Sequence, residues 1–426
     1  MDRGDVEDVE PSGQPMGGGP EGSTGGSPEG STGGGPEGSS GSGPEGSSGG
    51  GARREVYWCG GGSHLPGEPV DNDSIETRIG RLEGEAEVRA MVLKANGIRR
   101  RYYAQDDSSN PTDDVYGLAA SAVGELFQHQ PAARDATMLA VGTTHAPLVA
   151  PGVATITHSR LAGGEAGERW AGEHGAGEHW DWAVETVSHA GVCCSAAAAI
   201  LSAVRAVRCG DHGSAIAVGA EHASAVLKAD AIRPIDDRNG HAAIRDSRWF
   251  MSVFLRFMLS DGAAAWSLRD TPVAGRTCWR IDDAGLISLA HRHPRCMWLD
   301  GGTGLLTQDL NVLRRHLIPA AEEAVRWWLA DRGHGLEAYD VILPHLSSFF
   351  FARRMRSVID RHTRGTDAVP VWTNLDRVGN TGAASILLMF NEFAATDPPP
   401  GTRALLFVPE SGQFSFALIA MTAVAV

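Results

Sequence analysis

Apolar residues follow two recurring patterns along this chain: helical spacing over longer stretches, and short unbroken runs of β-formers. The pattern predicts a helix over 115–130 and a strand over 137–143, then a helix of small residues over 195–207 and a strand over 214–220. The same order returns with helix 317–330, strand 339–343, small-residue helix 381–393 and strand 404–408. Helix starts are 80 and 64 residues apart in the two halves, and strand starts 77 and 65. The repetition predicts a duplicated α/β body with mostly parallel sheets covered on both faces. Residues 416–426 read as a last buried strand, because this apolar run is roughly half the length a membrane-spanning helix needs.

The two small-residue helices can be laid on one another: Cys194-Ser-Ala-Ala-Ala-Ala-Ile-Leu matches Asn380-Thr-Gly-Ala-Ala-Ser-Ile-Leu. Helices that are apolar on every face belong in the centre of a large fold. Packed about a pseudo-twofold axis, they bring Cys194 and Asn380 toward a common place.

Ahead of the body the pattern disappears. Residues 1–51 hold four apolar side chains, Met1, Val6, Val9 and Met16, and Pro-Glu-Gly-Ser recurs at Pro20, Pro28, Pro36 and Pro44. With nothing to bury, such a segment cannot offset the ~1–2 kcal/mol per residue that ordering costs, so 1–52 is expected to be a disordered tail. The body is expected to divide into halves at 53–275 and 276–426. The acidic opening, MDRGDVEDVEP, predicts neither a signal nor a transit peptide.

Charge narrows the function classes. The 426 residues carry 37 Lys and Arg against 52 Asp and Glu, a formal charge of −15, which argues against non-specific nucleic-acid binding. Six Cys at 59, 193, 194, 209, 278 and 296 include no C-x-x-C pair and are too sparse to staple the chain, which fits a reducing cytoplasm and no membrane association.

Three residues carry the candidate chemistry. Cys194 lies at the start of the buried helix, where unsatisfied N–H groups and the helix dipole favour a thiolate; a packed structural cysteine is the alternative. Cys193 beside it points elsewhere, since adjacent residues cannot both face one pocket. His345 follows the strand ending Leu343-Pro344, at the carboxyl end of the sheet where open α/β folds place their sites. Asn380 follows Gly379 and suits either a site or a helix cap.

With these residues in place, the body from about Arg53 onward resembles β-ketoacyl-acyl carrier protein synthase III, a thiolase-fold condensing enzyme. The matching stretches are Asn96-Gly-Ile-Arg-Arg-Arg, Cys194-Ser in its Ala-rich helix, Ala217-Val-Gly-Ala-Glu, Leu259-Ser-Asp-Gly-Ala-Ala-Ala, Pro344-His345 and Asn374-Leu-Asp-Arg-Val-Gly-Asn-Thr-Gly-Ala-Ala-Ser-Ile. The resemblance implies an α/β thiolase fold, a five-layered αβαβα double domain, usually a homodimer. It also implies a triad of Cys194, His345 and Asn380. Cys194 would hold the acyl group, and His345 with Asn380 would stabilise the enolate left when a malonyl-type or β-ketoacyl-type thioester condenses. The backbone N–H groups of Cys194 and Gly412 would form the oxyanion hole. Acyl groups would arrive on acyl carrier protein or coenzyme A, with no resident cofactor.

Several segments depart from that family. Pro409-Glu-Ser-Gly-Gln-Phe replaces a run of glycines, so Glu410 and Gln413 bring polar bulk beside Gly412. Phe349, Phe350 and Phe351 replace a polar stretch. The Pro-His-Leu-Ser-Ser-Phe-Phe and Pro-Glu-Ser-Gly segments resemble the secondary-metabolism branch that builds dialkylresorcinol or cyclohexanedione rings. The insertion over 161–182 carries His174, His179, Trp170, Trp180 and Trp182 and reads as a solvated loop rather than a metal site. An acidic carrier protein needs a local basic patch, for which Arg353, Arg354 and Arg356 are candidates, a plain solvated helix face being the alternative, while Arg99, Arg100 and Arg101 resemble the family's segment near the pantetheine tunnel. Side chains from both halves and from the partner subunit are expected to shape the substrate tunnel, with Leu148 and Val149 as the partner's candidates. A non-decarboxylating acyltransferase of the same fold, passing the Cys-bound acyl group to an alcohol or amine, is the alternative activity. A papain-like protease shares the Cys-His-Asn order but not this duplicated body.

Overall fold

The computed structural model describes residues 53–162, 180, 183–235 and 247–426. The repeat tail, together with Trp170, His174, His179 and Trp182, lies outside the described residues.

In chain order the site-bearing elements begin with β1 (Tyr57–His64), α1 (Val115–His129), β2 (Met138–Thr143), β3 (Glu185–Ala190), α2 (Ser195–Cys209) and β4 (Ser214–Glu221). They continue with α3 (Arg248–Arg256), β5 (Gly262–Arg269), β6 (Thr277–Ser288), the short strands β7 (Met297–Leu299) and β8 (Leu306–Gln308), and α4 (Leu310–Leu329). Last come β9 (Val341–Pro344), α5 (Ala352–Arg361), α6 (Ser385–Ala394), β10 (Arg403–Pro409) and β11 (Ser415–Ala425). Among the described residues no helix is long and apolar enough to cross a membrane.

Nine strands form a single sheet in the order β9-β10-β11-β6-β1-β5-β4-β2-β3. The strands that precede residue 276 lie side by side, as do those that follow it, and the two sets join where Tyr57 pairs with Arg280 and Trp58 with Trp279. The expectation of mostly parallel sheets is corrected. Pairing is parallel on the flanks, β9 with β10 and β2 with both β3 and β4, and antiparallel from β4 through β5, β1, β6 and β11 to β10. The antiparallel pairs join segments far apart in the chain, Tyr57 with Arg280 among them, and the apolar pattern of each segment does not record the direction of so distant a partner.

The predicted elements shift at their ends for local reasons. Helix α4 begins at Leu310, earlier than the expected 317, because Asp309 caps it by accepting from Val312 N at 2.9 Å; Pro319 is thereby left inside the helix. The expected helix 381–393 divides into a 3-10 turn, Gly382–Ala384, and α6. Ahead of Cys193 the chain forms β3, an edge strand with mixed exposure.

Two glycines let the buried helices reach the sheet. Gly142 on β2 pairs with Gly219 on β4 in parallel register. A Cβ on Gly142 would lie 2.3 Å from the Ser195 carbonyl carbon, and one on Gly219 would lie 2.7 Å from Ala196 Cβ and 3.0 Å from Ala384 Cα. Any side chain here would wedge apart the starts of α2 and α6.

Phe390 of α6 anchors the same layer. Its ring lies 5.2 Å from Trp58, 5.0 Å from Trp266 and 5.2 Å from Trp279, on the three adjacent strands β1, β5 and β6. Phe390→Ala is expected to cost about 3–5 kcal/mol in urea unfolding; a loss below about 1 kcal/mol would show that the aromatic cluster does not clamp α6 to the sheet.

Candidate active site

The chain turns from β3 into α2 through residues 191–194, and this turn carries both adjacent cysteines. They face different ways. Both are buried in the same core cluster, but Cys193 lines two cavities, whereas Cys194 lines neither and its thiol donates to the Val408 carbonyl at 3.3 Å. The expected facing is therefore corrected: Cys193, not Cys194, looks onto the cavities. Aligning the helices by their Ile-Leu pairs set the frame one residue too far along.

The first cavity encloses about 620 Å³ of empty space, solvent at its mouth included, and has Asn380, Glu221, His145 and Gln308 at polar positions. Its apolar wall includes Val226, Leu255, Met258, Met297, Leu299 and Leu306. The second, of about 380 Å³, runs past His345 between Leu313 and Leu317 of α4 and Phe351 and Met355 beside and within α5. Both cavities share Cys193, Ser347 and Ser411, so the Cys193 thiol stands where they meet.

His345 is fixed by its backbone N–H, which donates to the Phe407 carbonyl at 2.8 Å, an extension of the β9–β10 pairing. Its ring is buried and Nε2 has no hydrogen-bond partner. Burial pulls the imidazole down to about 4, so the ring is neutral at physiological pH.

Asn380 is held by its backbone, which donates to the Met258 carbonyl at 3.2 Å and accepts from Ser260 N at 2.9 Å. Its Oδ1 accepts from Gly382 N at 3.1 Å, leaving the amide nitrogen as a donor. The close approach to 258–260 depends on Gly379, whose φ is +78° and where a Cβ would lie 2.9 Å from Ser260 Cβ.

Glu221, on the end of β4, supports this loop and was not singled out by sequence. Its Oε1 accepts from Thr144 N at 2.8 Å, Thr144 Oγ1 at 2.6 Å and Ala383 N at 3.2 Å, and burial pushes the carboxyl up to about 7. The signal was a Glu ending an otherwise apolar strand.

Glu410 changes the expected oxyanion hole. Its Oε2 accepts from Cys194 N at 2.9 Å, so that N–H is already taken. The Gly412 carbonyl accepts from Cys296 N at 2.8 Å and Met297 N at 3.1 Å, which fixes the loop against β7. The expectation that the helix start lowers the Cys194 thiol is also overturned. Burial first, then the Glu410 carboxylate, push both cysteines well above the ordinary range.

The arginine candidates separate. Arg99, Arg100, Arg353 and Arg354 are exposed, and Arg354 lies over the half-exposed Phe350 ring at 5.3 Å. Arg356 is committed to the Val369 carbonyl at 2.5 Å and Asp360 at 2.7 Å, which corrects its place in the patch. Leu148 and Val149 are 52% and 102% exposed and line neither cavity of their own chain, where the expectation placed them across a subunit boundary. No grouping of three or more metal-ligating side chains is found among the described residues.

The chain was compared with known proteins. No family model matches it. It is 24% identical over 357 residues to the β-ketoacyl-[acyl-carrier-protein] synthase III of Xanthomonas oryzae pv. oryzae, spanning 84% of this chain and 95% of that one. The chain is thus similar over most of its length to β-ketoacyl synthase III condensing enzymes. The fold likeness agrees. The synthase III-like chain superposes on AbyA1, described as a tetronic acid condensing enzyme, with a TM-score of 0.65 at 20% identity, covering 86% of this chain and 99% of that one. The 3-oxoacyl-(acyl carrier protein) synthase III of Pseudomonas aeruginosa gives 0.62 at 19% identity, covering 87% and 98%.

The buried imidazole of this synthase III-like protein has a stability signature. Its folded value of about 4 lies below the ~6.5 of a free imidazole, so the unfolded chain binds the proton first as pH falls. The contribution is complete above about 6.5 and is lost down to about 4, on the order of 3 kcal/mol in all. Urea midpoints at about pH 7.5 and about pH 4.5 should show wild type losing more stability than His345→Gln. Parallel losses would mean that His345 takes up a proton in the native state.

Proposed function

We propose that this condensing enzyme holds an acyl group on Cys193 and joins it to a second, malonyl-type or β-ketoacyl-type thioester with loss of CO2. The observation that carries the reading is the unpartnered, buried Nε2 of neutral His345, set beside a thiol on which two cavities converge. A buried polar atom left without a partner costs about 1–3 kcal/mol, which a developing enolate oxygen would relieve. His345 and the Asn380 amide supply the donors for that oxygen, and the Cys193 and Gly412 backbones serve the acyl-transfer oxyanion.

The acyl chain lies against the apolar wall formed by Met297, Leu299 and Leu306, and the thioester arm enters past α4 and α5. Donors come on acyl carrier protein or coenzyme A. Arg99, Arg100, Arg353 and Arg354 form the docking patch, since Gly97 approaches Phe349 so closely that a Cβ there would lie 2.7 Å from its ring. A second copy of the chain covers Leu148 and Val149, which would otherwise be exposed apolar surface. Likeness to a tetronic acid condensing enzyme supports a place in polyketide-type secondary metabolism, with ring-forming double condensation as its fullest form.

Intact-protein mass spectrometry with a panel of acyl-coenzyme A thioesters, followed by malonyl-coenzyme A, tests this. Wild type and Cys194→Ala should acquire an acyl adduct and release a β-ketoacyl product, and Cys193→Ala should acquire none. An adduct indifferent to malonyl thioester but passed to an alcohol or amine would instead establish the acyltransferase. Loss of the adduct in Cys194→Ala alone would overturn the choice of nucleophile.

A further inference from the structure

Thiol attack on a thioester requires somewhere for the thiol proton to go. His345 is a poor acceptor, because burial opposes the imidazolium. Glu410 is the other acid–base group at this turn. It is about nine-tenths buried, and its flanking residues Pro409 and Ser411 line the same cavity as Cys193 and His345. Its Oε2 lies 2.9 Å from Cys194 N, and a Cβ on Gly191 would lie 3.9 Å from that oxygen, so the carboxylate sits against the turn that presents Cys193. On its other side Oε1 lies 3.0 Å from where a Gly412 Cβ would stand. Its own main chain is fixed by donation to the Ser415 carbonyl at 2.9 Å.

We infer that Glu410 is the proton acceptor for Cys193. Resting on the reading of Cys193 as nucleophile, the step balances. The Cys193 S–H proton passes to the Glu410 carboxylate as sulfur bonds to the thioester carbonyl carbon. When the bond from that carbon to the substrate's own thioester sulfur breaks, the departing thiolate takes the proton from Glu410, leaving acyl-Cys193, a free thiol and an ionised Glu410. One negative charge is kept throughout and moved between two groups, which a buried turn tolerates where two charges would repel. The titratable groups whose charge Glu410 influences are Cys193 and Cys194, and Glu221, which lines the first cavity with Cys193, also acts on Cys193.

The test compares wild type, Glu410→Gln and Glu410→Asp as full-length proteins. Gln keeps an oxygen to accept from Cys194 N, and matching thermal unfolding confirms the fold. Two rates are read by peptide mapping at Cys193: alkylation by iodoacetamide and acylation by octanoyl-coenzyme A, both near neutral pH. Glu410→Gln should slow acylation about 100-fold and alkylation about 10-fold, with Asp restoring part of each. Removal of a mere negative neighbour would have the opposite sign, so alkylation in Glu410→Gln as fast as wild type or faster would overturn the inference. Failure of the condensing reading looks different: octanoyl-coenzyme A leaves Cys193 unmodified in every variant, and the alkylation ratio still decides the role of Glu410.

Discussion

The site depends on how closely two helices can lie on a sheet. Gly142 and Gly219, paired on adjacent strands, leave no side chain between the sheet and the first turns of the helices that begin at Ser195 and Ser385. Ala196 and Ala384 fill the space that remains. Close packing of this kind is what carries Cys193 and Asn380 to one cavity although they are far apart in sequence, and Phe390 pins the second helix from above through three tryptophans.

Around that contact, electrostatics and burial act in opposition. The helix start favours a thiolate, and a buried carboxylate beside it disfavours one. The outcome is a thiol that burial and the neighbouring Glu410 carboxylate keep protonated at rest. His345 completes the contrast: buried, neutral and with an empty hydrogen-bonding position, it suits donation to an oxygen better than acceptance from a sulfur.

Much of this was legible in the sequence, for reasons that also explain the misses. The repeated order of helices and strands reflected burial periodicity, which composition records directly. Strand direction did not follow, because pairing between distant segments such as β1 and β6 leaves no local mark. His345 and Asn380 were readable from a strand end and a Gly-Asn step. The choice between Cys193 and Cys194 was not, since both frames satisfy the apolar pattern and only the carbonyl of Val408 separates them. Glu410 stood out as bulk in a loop, but its contact with Cys194 N spans 216 residues. Arg356 looked like its neighbours until Asp360 and Val369 claimed it.

The paired glycines also restrict how such an enzyme can diversify. The two glycines of this floor have no side-chain atom to remove, and any atom added at Gly142 or Gly219 forces the helices apart. Changes of appetite must therefore come from the walls, where Met297, Leu299 and Leu306 stand on a small hairpin outside the main sheet. Leu299 and Leu306 carry no side-chain hydrogen bond to the reacting loop, whereas the Met297 sulfur accepts from Ser411, so a lineage built on this frame would hold its chemistry constant while drifting in shape mainly at the two leucines.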